Sequence, residues 1–573
     1  MPAINIFTFA LSALLCVVSV FARPLGLENK TSLRAGRDRV SAFVDKYFWL
    51  ILIAITALGT LVRFYKLTEI PQGIHIDEAS TAYDAYTMMT YGCERFLYPN
   101  PVYLINYGGG ANSLYAYLSV ASYRLFGGYS LFALRLPGAL FGALAVPATC
   151  ALANEISGRR AGLVGAFLCA IFPVCIMSSR FGLEVYIMHG IVTFALFCLC
   201  RAINRSSTPW YFAAGFMLGA ALYCYSLAYI IVPCFVLLTL IWLIVNKRIS
   251  FKQVVALGVP LFLLALPLML FLAVNNGMIE EIVTPWISIP KLPQYRGSEL
   301  SIQHALSNYA EFRCLFLNDP LPYNAVKPYY TMYLMSVPLV LYGLGLCTRD
   351  FVLSMRRRTI ALSALFLFWT VGCFVCCTFI GGVNNNRMIS IFVCFIYFAV
   401  RALREIWKLC AGALVSLLMC YCLCFVMFAS YYFTRYTKEL SPMPYFAPNA
   451  LEAYSFARDK SPEDTVYYLV YRQGTTYQNS YIYPLLADLE NPYDFNDQLY
   501  ESYGSWSYGN NRFYVPVHSY PDGSIVYEID KNACYVFKRD LKSETIESLE
   551  GKLMEAGFTH YIDIEPYDIY FFD

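Results

Sequence analysis

The stretch YFWLILIAITALGTLVRF (residues 47–64), followed closely by Gly73-Ile74-His75-Ile76-Asp77-Glu78-Ala79, decides how this chain is read. The first part is a hydrophobic run of nearly the length a membrane-crossing helix needs, about 20 residues. The second places two adjacent carboxylates just beyond its end. A carboxylate beside a bilayer is costly unless solvated or paired, so this acidic pair is a functional-site candidate by default.

Working outward, the composition puts the whole chain in a membrane. Of 573 residues 58% are hydrophobic and only 14% charged, against roughly 25% charged in an ordinary soluble domain. A net charge of +3 leaves no footprint for nucleic acid. Most of the 20 cysteines lie in apolar runs, so Cys373, Cys376 and Cys377, like Cys420, Cys422 and Cys424, read as small hydrophobes rather than metal ligands. Cys93, Cys314 and Cys534 are too scattered for a disulfide framework. No His/Cys/Asp cluster stands out, so neither a protein-held metal nor a cofactor is expected.

Short basic clusters set the topology. The first apolar run, 3–21, lacks a positively charged start and reads as a span rather than a leader. The linker behind it carries Arg23, Lys30, Arg34, Arg37, Arg39 and Lys46 and is expected to face the cytoplasm. Residues 47–64 then run outward, and Asp77 and Glu78 emerge outside. The run 111–126 contains Arg124 and reads as a juxtamembrane helix. Further spans are expected at 131–153, 162–177, 185–203, 210–227, 228–245, 254–274, 330–347, 360–380, from 388 and at 410–433, with the basic turns between them on the inner side. The expected fold is an all-α polytopic membrane bundle of about 11 or 12 transmembrane helices with a small C-terminal extracytoplasmic α/β domain. Its parts are an N-terminal span and basic linker (1–46), a multi-span body (47–433) with outer loops 65–130 and 275–328, and a soluble domain (434–573). That last part is Tyr-rich and charged, with helices at 451–457 and 544–556 and strands at 465–471 and 533–537.

Four polar features from separate connections converge on the outer side: Asp77 with Glu78, Arg135, Arg180 with Glu184, and Asn384 to Arg387. A carboxylate and several guanidinium groups in one cleft suit an anionic substrate, and an Arg fork matches phosphate oxygens in particular. Each feature also has a plainer reading. Asp77 could cap a helix starting at Glu78. Arg135 and Arg180 could snorkel to the interface, and Glu184 could pair with Arg180 one helical turn earlier. His75 and His189 read as packed or interfacial.

The order Arg63-Phe64-Tyr65-Lys66-Leu67, Asp77-Glu78-Ala79, Leu125-Phe126-Gly127, Leu134-Arg135-Leu136-Pro137 and then Pro173 with Ser179-Arg180 resembles the membrane glycosyltransferases related to protein O-mannosyltransferases and aminoarabinose transferases. The resemblance implies a polyprenyl-phosphate sugar donor drawn from membrane lipid and a hydroxyl-bearing acceptor: protein, lipid or cell-envelope glycan. It makes Asp77 the catalytic base, Glu78 its structural neighbour and Arg135 a donor-phosphate contact, and it matches Glu184 loosely to a second acidic position. One departure is clear. Many relatives carry Lys-Pro-Pro or His-Pro-Pro before the juxtamembrane helix, where this chain has Gly109-Gly110-Ala111-Asn112, so Arg180 or Arg387 is expected to supply the missing cation. The implied activity is inverting sugar transfer on the outer face of a cell membrane. A lipid-linked glycan flippase, or an inactive relative whose outer domain binds cell-wall polymer, is the alternative. Transporters tend to place their charges near the midplane in two related halves; here they sit at the outer ends, without a second copy.

Overall fold

The computed structural model describes residues 1–22, 31–295, 301, 303–436, 446–470, 479–502, 505–519, 525–539 and 543–572. Its body is helical because hydrocarbon offers backbone N–H and C=O groups no partner outside their own segment. The helices run α1 Pro2–Ala22, α2 Thr31–Lys46, α3 Phe48–Phe64, α4 Ile76–Thr90, α5 Leu114–Phe126, α6 Leu131–Ser157, α7 Arg159–Ile171, α8 Pro173–Met177 and α9 Ile187–Arg205. They continue as α10 Thr208–Leu222, α11 Ala228–Val245, α12 Phe251–Asn275, α13 His304–Glu311, α14 Ser336–Arg357, α15 Ala364–Phe379, α16 Asn385–Met388, α17 Ile391–Leu409 and α18 Ala411–Thr434.

Among the described residues seven helices are long and apolar enough to cross a membrane, or up to nine if two bent pairs each count as one span. The chain is thus a multi-pass membrane protein, with fewer clear spans than the 11 or 12 read from the sequence. The shortfall has physical causes. α10 and α15 are helices of only 15 and 16 residues, and the last turns of α17 carry Arg401, Arg404, Glu405 and Lys408. α5, with 13 residues, does not span. The bent pairs are α2 with α3, at 72°, and α7 with the short helices up to Arg180, at 66°. Pro173 opens the second of these, where its missing N–H costs no hydrogen bond.

The two long connections at the α3 C-terminal end are tied together. In the first, β1 (Ile74–His75) leads into α4, and a hairpin of β2 (Tyr103–Leu104) with β3 (Ala111–Asn112) leads into α5. The second carries the hairpin of β4 (Ile282–Val283) with β5 (Ser288–Ile289). Val102 N donates to Ser288 O at 2.9 Å, and Tyr103 stacks on Phe271 with ring centroids 4.3 Å apart.

The C-terminal domain starts at β6 (Phe446–Ala447). Its seven-stranded mixed sheet has at its centre β7 (Val466–Val470), parallel to both β13 (Ala533–Lys538) and β10 (Asn511–Arg512), with antiparallel strands towards the edges. Apolar faces of Ala450–Lys460 and Glu544–Glu555 pack beside it, the latter helix stopping at Gly557. The domain docks on α4: β6 pairs antiparallel with β1, His75 against Phe446 and Ile74 against Ala447. Tyr83 Oη donates to Glu490 O at 2.8 Å, and Asn496 Nδ2 donates to Arg95 O at 2.6 Å. Arg95 is itself held by Asp84 at 2.7 and 2.8 Å, both side chains buried.

Gly73 makes this junction possible. Its φ is +83°, and a Cβ there would stand 2.6 Å from Pro448 N. Gly73→Ala therefore combines a left-handed backbone, which costs a side-chain-bearing residue about 1–2 kcal/mol, with a collision against main chain. The expected outcome is a lower thermal midpoint and faster proteolytic release of the C-terminal domain, with the helical body retained by circular dichroism.

Candidate active site

The acidic pair begins α4, and its two carboxylates have different fates. His75 is the N-cap: its Nδ1 accepts from Asp77 N at 3.1 Å, and Glu78 accepts from His75 N at 2.9 Å, completing a capping box. The helix thus starts one residue ahead of Asp77, and Asp77 is not its cap. Glu78 is fully buried. Arg135 grips it with Nε and Nη2 at 2.9 and 3.0 Å, and Gly182 N donates to it at 2.7 Å. Burial works against the Glu78 carboxylate, but the Arg135 charge and these bonds outweigh it and hold it below the usual carboxylate range. Asp77 instead has 53% of its side chain exposed, with His75 Nδ1 3.7 Å from its Oδ2 and no arginine on it among the described residues.

Two of the three arginines expected at a donor phosphate are committed elsewhere. Arg135 is fully buried, and beyond Glu78 it donates to Leu67 O, Pro71 O and Gly73 O at 2.9, 3.1 and 2.8 Å. Every guanidinium N–H has a partner within the protein. Arg180 is equally buried and donates to Val62 O, Arg63 O, Tyr65 O, Lys66 O and Ile70 O between 2.6 and 3.1 Å. Val62 and Arg63 close α3, the negative end of its dipole, and the other three carbonyls follow it in the connection. The expected Arg180–Glu184 pair is absent because Phe181 and Leu183 are extended, which breaks the helical spacing. A third buried arginine, Arg63, donates to Gly59 O, Cys169 O, Cys175 O and Ser179 Oγ. In this geometry Arg135 and Arg180 hold the α3–α4 connection through protein partners.

Arg387 remains accessible. It is half-buried, donates through Nη1 to the Gly381 and Gly382 carbonyls, and lies beside the Tyr225 hydroxyl. The three asparagines before it have separate roles. Asn384 caps α16 by accepting from Arg387 N at 3.1 Å. Asn386 Oδ1 faces Tyr186 Oη at 2.9 Å. Asn385 donates its main-chain N–H to Asp319 Oδ2 at 2.6 Å, while its 1%-exposed side-chain amide has no partner for either atom among the described residues. Asp319 also accepts from Leu321 N and Asn324 Nδ2 at 2.7 and 3.0 Å, and burial pushes it up to about 6.

Glu184 closes the cleft from the start of α9. It is half-buried, lies beside Asn112 and is near enough to Asp77 for the two charges to repel. Tyr229 Oη meets the Asn112 amide at 2.9 Å, and Tyr225 lies between Glu184 and Arg387. Asp77, Glu184, Asn112, Tyr225, Tyr229 and Arg387 thus form a chain of near neighbours. Asn385 belongs to the Asn384–Arg387 run expected on the outer side, whereas Asp319, Tyr225 and Tyr229 carry no signal in the sequence.

The expectation of no metal-ligand cluster needs correction. Below the site Cys169 Sγ, Cys175 Sγ and His189 Nε2 lie within 4.8 Å of one another, all buried. Cys169 ends one helix, Cys175 lies past the Pro173 bend and His189 is on α9, so no sequence spacing reveals the group.

Residues 113–273 match the model of the dolichyl-phosphate-mannose-protein mannosyltransferase family. Two structures of ArnT from Cupriavidus metallidurans share the fold. The undecaprenyl phosphate-bound form aligns at a TM-score of 0.52 and 13% identity over 91% of this chain and 98% of its own. The apo form aligns at 0.52 and 12% over 92% and 98%. The archaeal oligosaccharyltransferase AglB from Archaeoglobus fulgidus, in complex with an inhibitory peptide and a dolichol-phosphate, aligns at 0.45 and 13% over 73% of this chain, which spans 59% of that protein's length. No curated protein is significantly similar in sequence.

Two stability predictions follow from the charges. Glu78→Gln leaves Arg135 buried without its counter-charge, and breaking a buried pair costs about 3–5 kcal/mol. A correspondingly lower unfolding midpoint in detergent is expected, whereas Asp77→Asn should barely move it. The folded-state Glu78 pKa lies below the unfolded one, so its contribution is present at neutral pH and lost as pH falls through the folded value. Asp319 has the opposite sign. Its folded value of about 6 exceeds the ordinary 3.8, so the native state holds the extra proton and stability falls as pH rises across that window. Asp319→Asn should flatten the decline in unfolding midpoint between those two pH values.

Proposed function

We propose that this chain, a membrane glycosyltransferase of the dolichyl-phosphate-mannose-protein mannosyltransferase family, moves a sugar from a polyprenyl-phosphate donor to a hydroxyl acceptor, with inversion, on the outer face of a cell membrane. The observation that carries this reading is the division of labour in the acidic pair. Glu78 is locked to Arg135, while Asp77 stands free in the cleft across from Glu184. The outward orientation rests on the basic clusters, which gather at the α3 N-terminal end, opposite the cleft.

The chemistry needs few parts. The acceptor oxygen attacks the anomeric carbon as its proton passes to an Asp77 carboxylate oxygen. The carbon–oxygen bond to phosphate breaks on the opposite face, and polyprenyl phosphate leaves with the electron pair. Phosphate is already a good leaving group, so no general acid is required. In this reading Arg387 receives the phosphate oxygens, where donors fixed in advance are worth most as charge develops. Glu184 and Asn112 face the sugar or acceptor hydroxyls from the other wall. The tie between the two long connections closes the cleft on the side of the hairpins.

The test is an assay of the purified chain in lipid with a panel of polyprenyl-phosphate sugars and of hydroxyl-bearing acceptors (peptide, lipid and glycan), following release of free polyprenyl phosphate. Asp77→Asn is expected to lower turnover by about 10²–10⁴, the usual worth of a positioned general base, with donor binding retained. Arg387→Ala should instead weaken donor binding. Full turnover by the Asp77 variant would remove Asp77 as the base, and no release with any donor would remove the transferase reading itself.

A further inference from the structure

At the other end of the bundle, beside the N-terminus of α3, lies a partly open cavity of about 750 Å³. The 72° bend at Tyr47 creates it. Because α2 turns away instead of prolonging α3, it roofs a gap between α3, α7, α17 and α18. The walls are apolar, formed by Val44, Ile51, Leu163, Phe167, Leu414 and Leu418. The rim is basic: Arg159, Arg160, Arg404 and Lys408, against the single acid Asp45.

The rim charges are not all neutralised. Asp45 pairs with Arg160, both about half exposed, and Lys408 reaches Glu405 at 2.8 Å. Arg159 is exposed and lies over the Phe48 ring at 5.6 Å. Arg404 is exposed and has no partner among the described residues. An apolar slot ending in surplus guanidinium groups complements one kind of molecule in a bilayer: an amphiphile with an anionic phosphate head and acyl chains. We propose that this cavity binds an anionic phospholipid of the adjoining leaflet, its phosphate between Arg159 and Arg404 and a chain against Leu163 and Phe167. Basic pockets between spanning helices hold such headgroups through charge-assisted bonds in a poorly screened setting. The site is distinct from the cleft at Asp77, since α3 puts about 25 Å between its two ends at 1.5 Å per residue.

The experiment is native mass spectrometry of the full chain, released from detergent after incubation with equimolar phosphatidylglycerol and phosphatidylcholine. The wild-type chain is expected to retain phosphatidylglycerol with a preference of about ten-fold or more. Arg404→Ala should lower that preference about five-fold, the usual share of one basic group at an anionic lipid. Val164→Trp fills the cavity without changing charge and should abolish retention. Arg356→Ala with Arg357→Ala removes basic residues at the α14 C-terminus, outside the lining, and should leave retention as it was. Arg404 is solvent-facing, so its variant keeps the test standing if the tryptophan variant does not fold. Equal retention of the two lipids by the wild type would overturn the proposal. So would full retention by the tryptophan variant, or a loss in the Arg356/Arg357 variant as large as in Arg404→Ala; either would reduce the effect to general surface potential.

Discussion

A fully buried guanidinium gripping a fully buried carboxylate, Arg135 on Glu78, is the interaction on which the rest of the site depends. Neither charge could stay in that setting alone. Together they fix three segments at once. Arg135 collects the carbonyls of the connection leaving α3, Glu78 anchors the first turn of α4, and through Gly182 N the pair holds the extended stretch before Glu184. Asp77, one residue along and on a different side of the same helical turn, is thereby turned outward. The free carboxylate owes its position to its buried neighbour.

The same economy recurs with Arg63 and Arg180. A guanidinium has five donors in a rigid plane, and in a region poor in water those donors gather carbonyls that helix ends leave unsatisfied. Arg180 collects the end of α3 and lies 5.1 Å from the Phe433 ring near the end of α18. Arg63 joins α3 to the Pro173 bend. Three cations thus hold shut the end of the bundle that carries the cleft.

The layers of this architecture were unequally legible in the sequence. Hydrophobic run length showed the helical body, because hydrocarbon forces one solution on the backbone, and the composition shift near residue 434 showed the appended domain. Where helices bend, are short, or alternate charge with apolar residues as α17 does, length and composition alone mark fewer clear spans. The site was legible as a set of connections but not as a set of roles. Arg135 and Arg180 look like phosphate ligands in one dimension because their partners are backbone carbonyls, which every residue has and no pattern marks. Arg387, just beyond α15, meets Tyr225, just ahead of α11, through the packing of those two helices, and Cys169, Cys175 and His189 come together only through a proline bend.

The two-residue pairing of β1 with β6 gives the C-terminal domain a part in the first turn of α4. His75 caps that turn through its side chain while its backbone lies in the ladder with Phe446. The orientation of the acidic motif is therefore shared property: the strand that anchors the distal fold and the residue that starts the acidic helix belong to one hydrogen-bonded unit. An exchange of this domain for an unrelated one would not be modular, because the replacement would need an edge strand in the same register and a main chain that tolerates Gly73 pressed against it.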